Sequence, residues 1–470
     1  MAGVSEVNAS GAPHPSQPSG GEGGARGDGF SFEVERIFAP LQRTGRGFYL
    51  AAAVLSAIFG WGVYAYVRQF NDGLGVTGMN RPVYWGIYMA NFVFFIGISH
   101  AGTLISAILR VSGAEWRRPV TRCAEVITVF ALIFGGLSVV IDLGRPDRLL
   151  FVLQHGRLQS PILWDVCCIS TYLTGSLIYL YLPLIPDMAI LRDRGIGRLR
   201  WLYRLLALGY RGTKRQKKHL EFMISVMAVL IIPIAVSVHT VVSYIFATTL
   251  QPGWHSTIFG PYFVVGAIFS GLAALMIAMA IIRRAFRLEG ILKDVHFNNL
   301  GLILLTMTCL MIYFTFNIYL VEITGNEPMI MAAVMAKVTG PYALPFWGMI
   351  LGGFIVPAVI LAFPKGRSVK GCVVASILIV IAMWLERYLI VVPTLMHPRL
   401  PWPEGIYTPT WVEWSITAGC LAAFALLYML FARFFPIVSI WEVQEGIDES
   451  IPQVTERFAE YMPEPLGEAV

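Results

Sequence analysis

Ten apolar runs, each long enough to cross a bilayer, constrain what this chain can fold into. About 20 apolar residues span the hydrocarbon core as a helix. The two-residue alternation of a transmembrane barrel is missing, and a helix satisfies its own backbone in lipid. The sequence therefore predicts an all-α integral membrane protein with ten transmembrane helices, at about 48–67, 84–109, 123–142, 162–184, 221–249, 260–282, 297–321, 342–363, 371–394 and 411–435.

Charge is scarce and unevenly placed. Only 14% of the 470 residues are charged, against about 25% in soluble domains. Most Lys and Arg residues fall in alternate loops, at 110–122, 185–220, 283–293 and 365–370, and near the termini. Because positive loops stay inside, we expect a multi-pass protein of the inner (cytoplasmic) membrane with both termini cytoplasmic. The basic loop 185–220 is read as a contact with anionic lipid rather than with nucleic acid.

Composition also divides the chain into segments. The first residues are rich in Gly, Ser, Pro and Ala, which predicts a disordered tail. The acidic C-terminal segment is either a solvated tail or a docking strip. The expected segments are a cytoplasmic tail 1–40, helices 1–4 in 41–184, a basic linker 185–220, helices 5–10 with a second bundle in 221–435, and an acidic tail 436–470.

His100 is the one ionisable side chain inside the run from Asn91 to Arg110. A histidine at that depth must face protein, water or a ligand, because hydrocarbon is a costly environment for it. A similar segment around His239 in helix 5 is a weak sign of two related helix bundles, with helices 1 and 10 peripheral.

Other ionisable residues gather toward the outer side of the predicted bundle. Each has a structural explanation on its own, such as a helix end, the helix dipole or an ion pair. Glu386 and Arg387 are adjacent, so we expect them to point to different faces and to need partners on other helices. The set comprises Asp142, Asp165, His239, His255, Glu322, Glu386 and Arg387.

A pocket that combines such groups with aromatic walls suits a quinone, which needs lipid access, a hydrogen-bond partner and a proton acceptor. Oxidation of a quinol releases two protons, which a histidine and a carboxylate can accept. His100, Asp142 and Asp165 are the candidate catalytic residues. The candidate quinol-binding residues are His100, Asp165, Arg145, Trp164, Trp254 and His255, and the candidate proton pathway is Asp142, His239, Glu322, Glu386 and Arg387.

The sequence contains few candidate ligands for a metal cofactor. The six cysteines form no Cys-x-x-Cys pair, which argues against c-type haem, a cysteine-ligated iron–sulfur cluster and a disulfide framework. A haem b needs two facing histidines, and only His100 and His239 are deep enough. A haem b anchor and a non-catalytic or proton-conducting membrane anchor remain alternatives to quinol chemistry.

Several motifs, in order, resemble one known family. They are Asn-Phe-Val-Phe-Phe-Ile-Gly-Ile-Ser-His-Ala-Gly-Thr around His100, Asp-Leu-Gly-Arg-Pro from Asp142, Ser-Pro-Ile-Leu-Trp-Asp ending at Asp165, Ser-Val-His-Thr around His239, and Gly-Trp-His-Ser-Thr around His255. Over roughly residues 40–435 the chain is similar to the NrfD-like membrane subunits of polysulfide reductase and related complexes, and it most resembles an NrfD-like subunit of alternative complex III.

The resemblance implies two four-helix bundles and a haem-free subunit that oxidises a quinol, with menaquinol expected, near the outer face. It also implies an iron–sulfur subunit docked at that face, a second NrfD-like membrane subunit and a multihaem cytochrome c, in a respiratory or photosynthetic chain. Protons would be released outward, with translocation as a further option. His100, Asp142 and Asp165 match the positions linked to the quinol, with Arg145 as neighbour, and His239 and His255 match a second motif. Relatives often show Trp-Asp after that second motif, and this chain lacks the carboxylate there.

Overall fold

The computed structural model describes residues 32–42, 44–196, 199–398, 403 and 405–448. Ten of its helices are long and apolar enough to cross a membrane. These confirm the predicted all-α membrane protein and each of the ten predicted spans. They are α1 Arg46–Asp72, α2 Ile87–Val111, α3 Thr121–Asp142, α4 Pro161–Arg194, α5 Lys214–Ala247, α6 Phe259–Ala285, α7 Asp294–Gly325, α8 Ala343–Ala362, α9 Val369–Leu395 and α10 Trp411–Phe434.

The helices form two four-helix bundles with a peripheral pair. In the first bundle α2 packs on α3, α3 on α4, α4 on α5, and α5 back on α2; α6, α7, α8 and α9 close a second ring in the same way. Helices α1 and α10 pack on each other, and α10 also contacts α3. The bundles join where α6 contacts α2 and α5. The expected two bundles with peripheral first and last helices are therefore confirmed.

One helix falls on the other side of the expected division. The sequence separates helices 1–4 from helices 5–10 at the linker 185–220, whereas α5 completes the first bundle, so the division lies between α5 and α6. His100 on α2 and His239 on α5 thus belong to the same bundle. The likeness of their two segments does not relate one bundle to the other.

The segments outside the spans hold short helices. Phe32–Gln42 is a helix that begins within the expected disordered tail 1–40 and ends beyond it, with Val34, Ile37 and Phe38 buried. Arg200–Leu206 lies in the linker, and Pro328–Val338 follows α7. Helix α5 starts at a capping box in which Thr213 and Gln216 bond reciprocally, which satisfies two free backbone N–H groups. Residues 1–31 and 449–470 lie outside the described part of the chain, and so do the predictions made for them.

Two faces of the molecule are used as landmarks below. The basic face is the end where α2 meets α3, α4 meets α5, α6 meets α7 and α8 meets α9, and it carries the Arg- and Lys-rich loops. The opposite face is the end where α1 meets α2, α3 meets α4 and α5 meets α6.

The described part of the acidic C-terminal segment is docked on the basic face. Residues 436–448, here the C-terminal strip, place Ile437, Val438 and Ile440 in the core. Asp187 of α4 accepts hydrogen bonds from the backbone N–H groups of Ile440 at 3.2 Å and Trp441 at 3.1 Å. Of the two interpretations that the sequence leaves open, the structure supports a docking strip for these residues.

The tightest contact between α2 and α3 depends on Gly102. A Cβ atom there would overlap both the carbonyl oxygen of Ala124 and the hydroxyl of Thr128. That hydroxyl also donates to the carbonyl of Ser99 at 2.5 Å, so it cannot turn away without losing a buried bond. We expect Gly102→Ala to destabilise the protein by about 1–3 kcal/mol, the usual cost of overpacking, seen as a lower unfolding midpoint in detergent.

Gly136→Ala on α3 is the matched control for this substitution. A Cβ atom at Gly136 meets nothing within 4 Å, and alanine is the better helix former. The control should keep or slightly raise the midpoint. Equal midpoints for Gly102→Ala and Gly136→Ala would show that α2 and α3 are not in the close contact described.

Candidate functional site

Two carboxylates of the first bundle, at the opposite face, have an oxygen atom without a hydrogen-bond partner among the described residues; in the second bundle Glu322 and Glu386 have such atoms as well. Asp142 is the last residue of α3, and Asp165 lies in the second turn of α4. One buried oxygen of each, Oδ1, has no partner within the described part of the chain. Buried polar atoms are normally paired, so these two are candidates for contact with a ligand. Both residues are among the candidates that the sequence indicates.

Another carboxylate on the same face, that of Glu413, has a structural role. Glu413 at the start of α10 accepts hydrogen bonds from the backbone N–H of Gly78 at 2.7 Å and of Thr410 at 2.9 Å, and from the Tyr407 hydroxyl at 2.5 Å. These bonds tie the loop before α10 to the loop before α2. The fully used oxygens of Glu413 contrast with the unused oxygens of Asp142 and Asp165.

Polar side chains that the sequence did not single out lie beside the end of α3. Gln69 of α1 donates to the carbonyl oxygen of Ile141 at 2.9 Å and accepts from the Tyr88 hydroxyl at 2.6 Å. Gln69 and Tyr88 are both buried. This pair fixes the end of α3, and hence the position of Asp142, from two neighbouring helices.

Between the two acids runs an exposed apolar segment, residues 143–164. Such a concentration of exposed apolar side chains marks contact with lipid, a partner or an apolar ligand. The segment includes the short helix Phe151–Gln154 and the Trp164 side chain, which is 38% exposed. Its exposed members are Leu143, Leu149, Leu150, Phe151, Leu153, Leu158, Ile162 and Trp164.

Arg145 and Trp164 make contacts other than those expected. Arg145 hydrogen bonds to Asp147 at 2.9 Å, with both side chains more than half exposed, and this bond lowers the pKa of the Asp147 carboxyl below its ordinary value. The Trp164 indole donates to the carbonyl oxygen of Leu158. Both residues border the apolar segment, but Arg145 pairs with Asp147 and not with Asp142.

Trp254 and His255 lie in the loop between α5 and α6. Trp254 is buried, stacks on Trp85 with ring centroids 5.8 Å apart, and donates to the carbonyl oxygen of Ile390 at 2.7 Å. It therefore joins the two bundles at the opposite face. His255 is exposed. Neither residue contacts Asp142 or Asp165 through a hydrogen bond within the described chain.

The two histidines meet in the middle of the first bundle. The ring centroids of His100 and His239 are 3.5 Å apart, and both side chains are fully enclosed. His100 Nε2 donates to the carbonyl oxygen of Ala235 at 2.5 Å. The Nδ1 atoms of both rings have no partner within the described residues. His100 therefore faces protein, and its neighbour is the second histidine chosen from the sequence.

The histidine pair lies deeper than the acids. The His100 ring is 5.0 Å from the Tyr172 ring, centroid to centroid. Tyr172 lies seven residues after Asp165 on α4, about 10 Å along the helix axis. The expected grouping of His100 with Asp165 and Asp142 thus separates into an acid pair at the face and a histidine pair in the interior.

The histidine pair does not fit a haem as it stands. An iron held between two imidazoles needs ring centroids about 6 Å apart, since each metal–nitrogen bond is about 2 Å long. The observed 3.5 Å leaves no room for it. In addition, no group of three or more His, Cys, Asp or Glu side chains with metal-binding geometry occurs among the described residues.

The prediction that Glu386 and Arg387 do not pair is wrong. Arg387 Nη1 lies 2.9 Å from Glu386 Oε2, with both side chains buried. Adjacent residues leave the helix in different directions, but their long side chains bend back far enough to meet. The Arg387 guanidinium also lies 4.8 Å from the centre of the Phe263 ring. This pair belongs to the second bundle.

Near this pair the second bundle contains a small cavity of about 30 Å³, room for one or two waters. Lys337 of the short helix Pro328–Val338 is buried in its wall, with its ammonium 5.2 Å from the centre of the Tyr319 ring. The predicted spans leave Lys337 in an outer loop. The cavity is far smaller than a quinone ring, and its polar lining residues are Tyr262, Thr315, Tyr319, Glu322, Lys337, Glu386 and Thr394.

Comparison with known proteins gives relatives along nearly the whole chain. The chain is 27% identical to a putative dimethyl sulfoxide reductase membrane subunit of Halobacterium salinarum, over 84% of this chain and 92% of the relative. It is 23% identical to an Hdr-like menaquinol oxidoreductase integral membrane subunit of Archaeoglobus fulgidus, over 86% and 96%. It is 24% identical to a menaquinone reductase integral membrane subunit of Nitratidesulfovibrio vulgaris, over 83% and 92%.

A family model supports the same relationship. The model described as polysulphide reductase, NrfD, matches residues 75–399, which include all helices of both bundles. This range also contains Asp142, Asp165 and both buried histidines. The chain is therefore a member of the NrfD family of integral membrane proteins.

Proposed function

We propose that this chain is the quinol-oxidising membrane subunit of an electron-transfer complex, with its quinol site at Asp142 and Asp165. The observation that carries the proposal is the pair of unpartnered carboxylate oxygens beside an exposed apolar segment. An apolar ring and tail can reach that segment from the membrane, and the carboxylates can meet the hydroxyl groups. The relatives named for menaquinol and menaquinone support menaquinol as the substrate.

The chemistry assigned to the acids is proton acceptance. Oxidation of a quinol to a quinone releases two electrons and two protons. Asp142 and Asp165 each take one proton as general bases, and the electrons leave to an acceptor in a partner subunit. The positive-inside rule predicts that the opposite face is the outer one, so both protons would leave outward.

We propose the same partners that the sequence resemblance implies. The opposite face would receive an iron–sulfur subunit as the first electron acceptor, because the acids and the apolar segment lie there. A second NrfD-like subunit and a multihaem cytochrome c would complete an assembly of the alternative complex III type in the inner membrane of a respiratory or photosynthetic chain. This subunit would itself hold no haem, in agreement with the geometry of its histidine pair.

A menaquinone analogue with a photoreactive group on its ring tests the location of the site. Upon illumination of the intact complex we expect labelled peptides from residues 143–164 and the first turns of α4, because this exposed apolar segment connects the two acids along the chain. Mass spectrometry locates the label, and excess unlabelled menaquinone should prevent it. Labelling confined to the cavity around Lys337 and Glu386 would place the site in the second bundle instead.

The alternative of a proton-conducting anchor draws support from a separate observation. The pair Glu386–Arg387 and the cavity beside Lys337 bring ionisable groups and room for water together near the opposite face. Buried ionisable groups in a membrane bundle commonly mark proton or ion routes. In that case the complex would transport protons through this subunit while quinol binds elsewhere, and the photolabel would miss residues 143–164.

A further inference from the structure

A line of polar side chains runs along α2 from the histidine pair toward the basic face. Thr103, Ser106 and Arg110 follow His100 at steps of three or four residues, which places them on one side of the helix. Thr103 and Ser106 are fully buried. Buried Ser and Thr side chains in a membrane bundle commonly hydrogen bond across helices, so the partners of this stripe decide what it can do.

Thr103 and Ser106 each meet a polar partner from another helix of the first bundle, and Arg110 pairs with Glu442 of the C-terminal strip. The Thr103 hydroxyl is 2.6 Å from the Tyr172 hydroxyl. One turn further, the Ser106 hydroxyl donates to Glu125 of α3 at 2.7 Å and lies 3.3 Å from the Tyr179 hydroxyl. The inner column extends from the middle of the bundle toward the basic face, and we define it as His100, Thr103, Ser106, Tyr172, Tyr179 and Glu125.

Glu125 is the carboxylate that bonds to Ser106 in the inner column. It lies in the second turn of α3 and is 3% exposed. Its bond to Ser106 comes from a neutral donor, while the two nearby arginines have carboxylate partners of their own: Arg122 pairs with Asp187 and Arg110 with Glu442. An acid without its own cation at this depth is suited to bind and release a proton.

The C-terminal strip covers the end of the inner column that is nearest the basic face. Its Glu442 is buried and forms an ion pair with Arg110, and it lies 3.6 Å from Arg117. Glu445, one turn further, pairs with Lys217 at 2.6 Å. The strip thus covers the basic-face end of α2, with Lys217 and Glu445 as the charged pair that remains partly exposed there.

We propose that the inner column carries protons between the basic face and the histidine pair, with Glu125 as the group that holds each proton in transit. A proton from the basic-face solution binds the Glu125 carboxylate. It then passes by way of Ser106 and Tyr179, and of Thr103 and Tyr172, to the unpartnered Nδ1 atom of His100, and the histidine pair releases one proton toward the opposite face for each proton that it receives. No covalent bond other than O–H and N–H bonds is made or broken.

The column has two gaps, each of which needs a bridging water before a proton can pass. No hydrogen bond joins Ser106 to Thr103, or Tyr172 to His100, among the described residues. Three residues of helix span about 4.5 Å, a distance that one bridging water covers. A column with gaps conducts only when they are bridged, which prevents a standing leak across the membrane.

This inference concerns a part of the molecule that the proposed quinol site does not use, and Glu125→Gln tests it. Glutamine keeps an oxygen that can accept from Ser106, so a purely structural role survives, but it cannot hold a proton. In complexes reconstituted into liposomes, we expect quinol-dependent electron transfer with an uncoupler to remain near wild type, while proton uptake from the basic-face side is lost. Glu115→Gln, an exposed acid on the same face, should change neither.

Infrared difference spectra across a pH titration give a readout that needs no quinol. The wild type should show the C=O stretch of a buried protonated carboxylic acid, absent in Glu125→Gln and present in Glu115→Gln. Proton uptake per electron that is unchanged in Glu125→Gln overturns the proposal, and so does a parallel loss of uptake and electron transfer. If the wild type shows no quinol oxidation, the proposed function fails, and the infrared band alone decides whether Glu125 titrates.

Discussion

Replacement of Asp165 by asparagine is expected to lower quinol-dependent electron transfer through the complex by about 10²–10⁴-fold, the usual contribution of a positioned general base. The amide keeps the shape of the side chain and a hydrogen-bonding oxygen but cannot accept a proton from the quinol. The fold should be unaffected, because the Oδ1 atom of Asp165 makes no hydrogen bond within the described structure that the substitution would break. Steady-state rates with a menaquinol analogue and an artificial acceptor measure the effect.

Asp147→Asn is the matched control for this loss. Asp147 lies in the loop between the two candidate acids, is exposed, and hydrogen bonds only to neighbouring groups such as Arg145. An exposed ion pair of this kind contributes little to stability, so the control should keep its rate. A wild-type rate in Asp165→Asn, with the complex assembled, would remove Asp165 from the site.

Asp142→Asn separates the roles of the two acids. If each carboxylate accepts one of the two protons, both single variants should be slow, and the double variant should be little slower than either, because groups that act together are not additive. Multiplied losses in the double variant would indicate that the acids act in independent steps. The comparison requires equal assembly of all three complexes, judged by their content of partner subunits.

The spans were predictable because their physical cause is local. Lipid satisfies no backbone group, so each crossing needs about 20 apolar residues in a row, and such runs can be read directly from the chain. The match between predicted and observed α9, 371–394 against Val369–Leu395, is typical. Asp142 and Asp165 were also accessible to sequence reasoning, because both stand at the ends of apolar runs.

The partners of these residues were not predictable, because they depend on which helices become neighbours. His100 faces His239 only because α5 closes the first bundle, and helix order along the chain does not state this. Glu386 and Arg387 pair through side-chain bending that a helical wheel omits. Lys337 points inward from a short helix that is not apparent when only the long apolar runs are counted.

Glu125 is a different kind of omission, since a signal was present. It lies inside the predicted span 123–142, and an ionisable residue within a span indicates function by default. Because Glu125 also lies close to the basic loop, the sequence is equally consistent with a solvated acid at the helix end. The structure shows instead that its side chain is buried against Ser106.

Removal of the Arg122 side chain is expected to cause the largest loss of stability. Arg122 forms a fully buried ion pair with Asp187 and donates to the carbonyl oxygen of Pro183 at 2.7 Å and to Ser439 at 3.2 Å. In Arg122→Leu the Asp187 charge remains buried with only backbone N–H donors, which costs about 3–5 kcal/mol. We expect a lower unfolding midpoint in detergent and faster proteolysis within the C-terminal strip.

Two further variants separate the ion pair from the strip. Arg192→Gln removes one member of a pair whose acid, Asp193, is largely exposed, so its midpoint should stay close to wild type. Replacement of both buried partners, Arg122→Leu with Asp187→Leu, removes the uncompensated charge but also the acceptor for the N–H groups of Ile440 and Trp441. We therefore expect partial recovery of the midpoint with persistent proteolysis of the strip. Asp187 both pairs with Arg122 and accepts hydrogen bonds from the strip backbone, and only the first of these interactions involves Arg122. Full recovery of both properties would mean that the strip is held by apolar contacts alone.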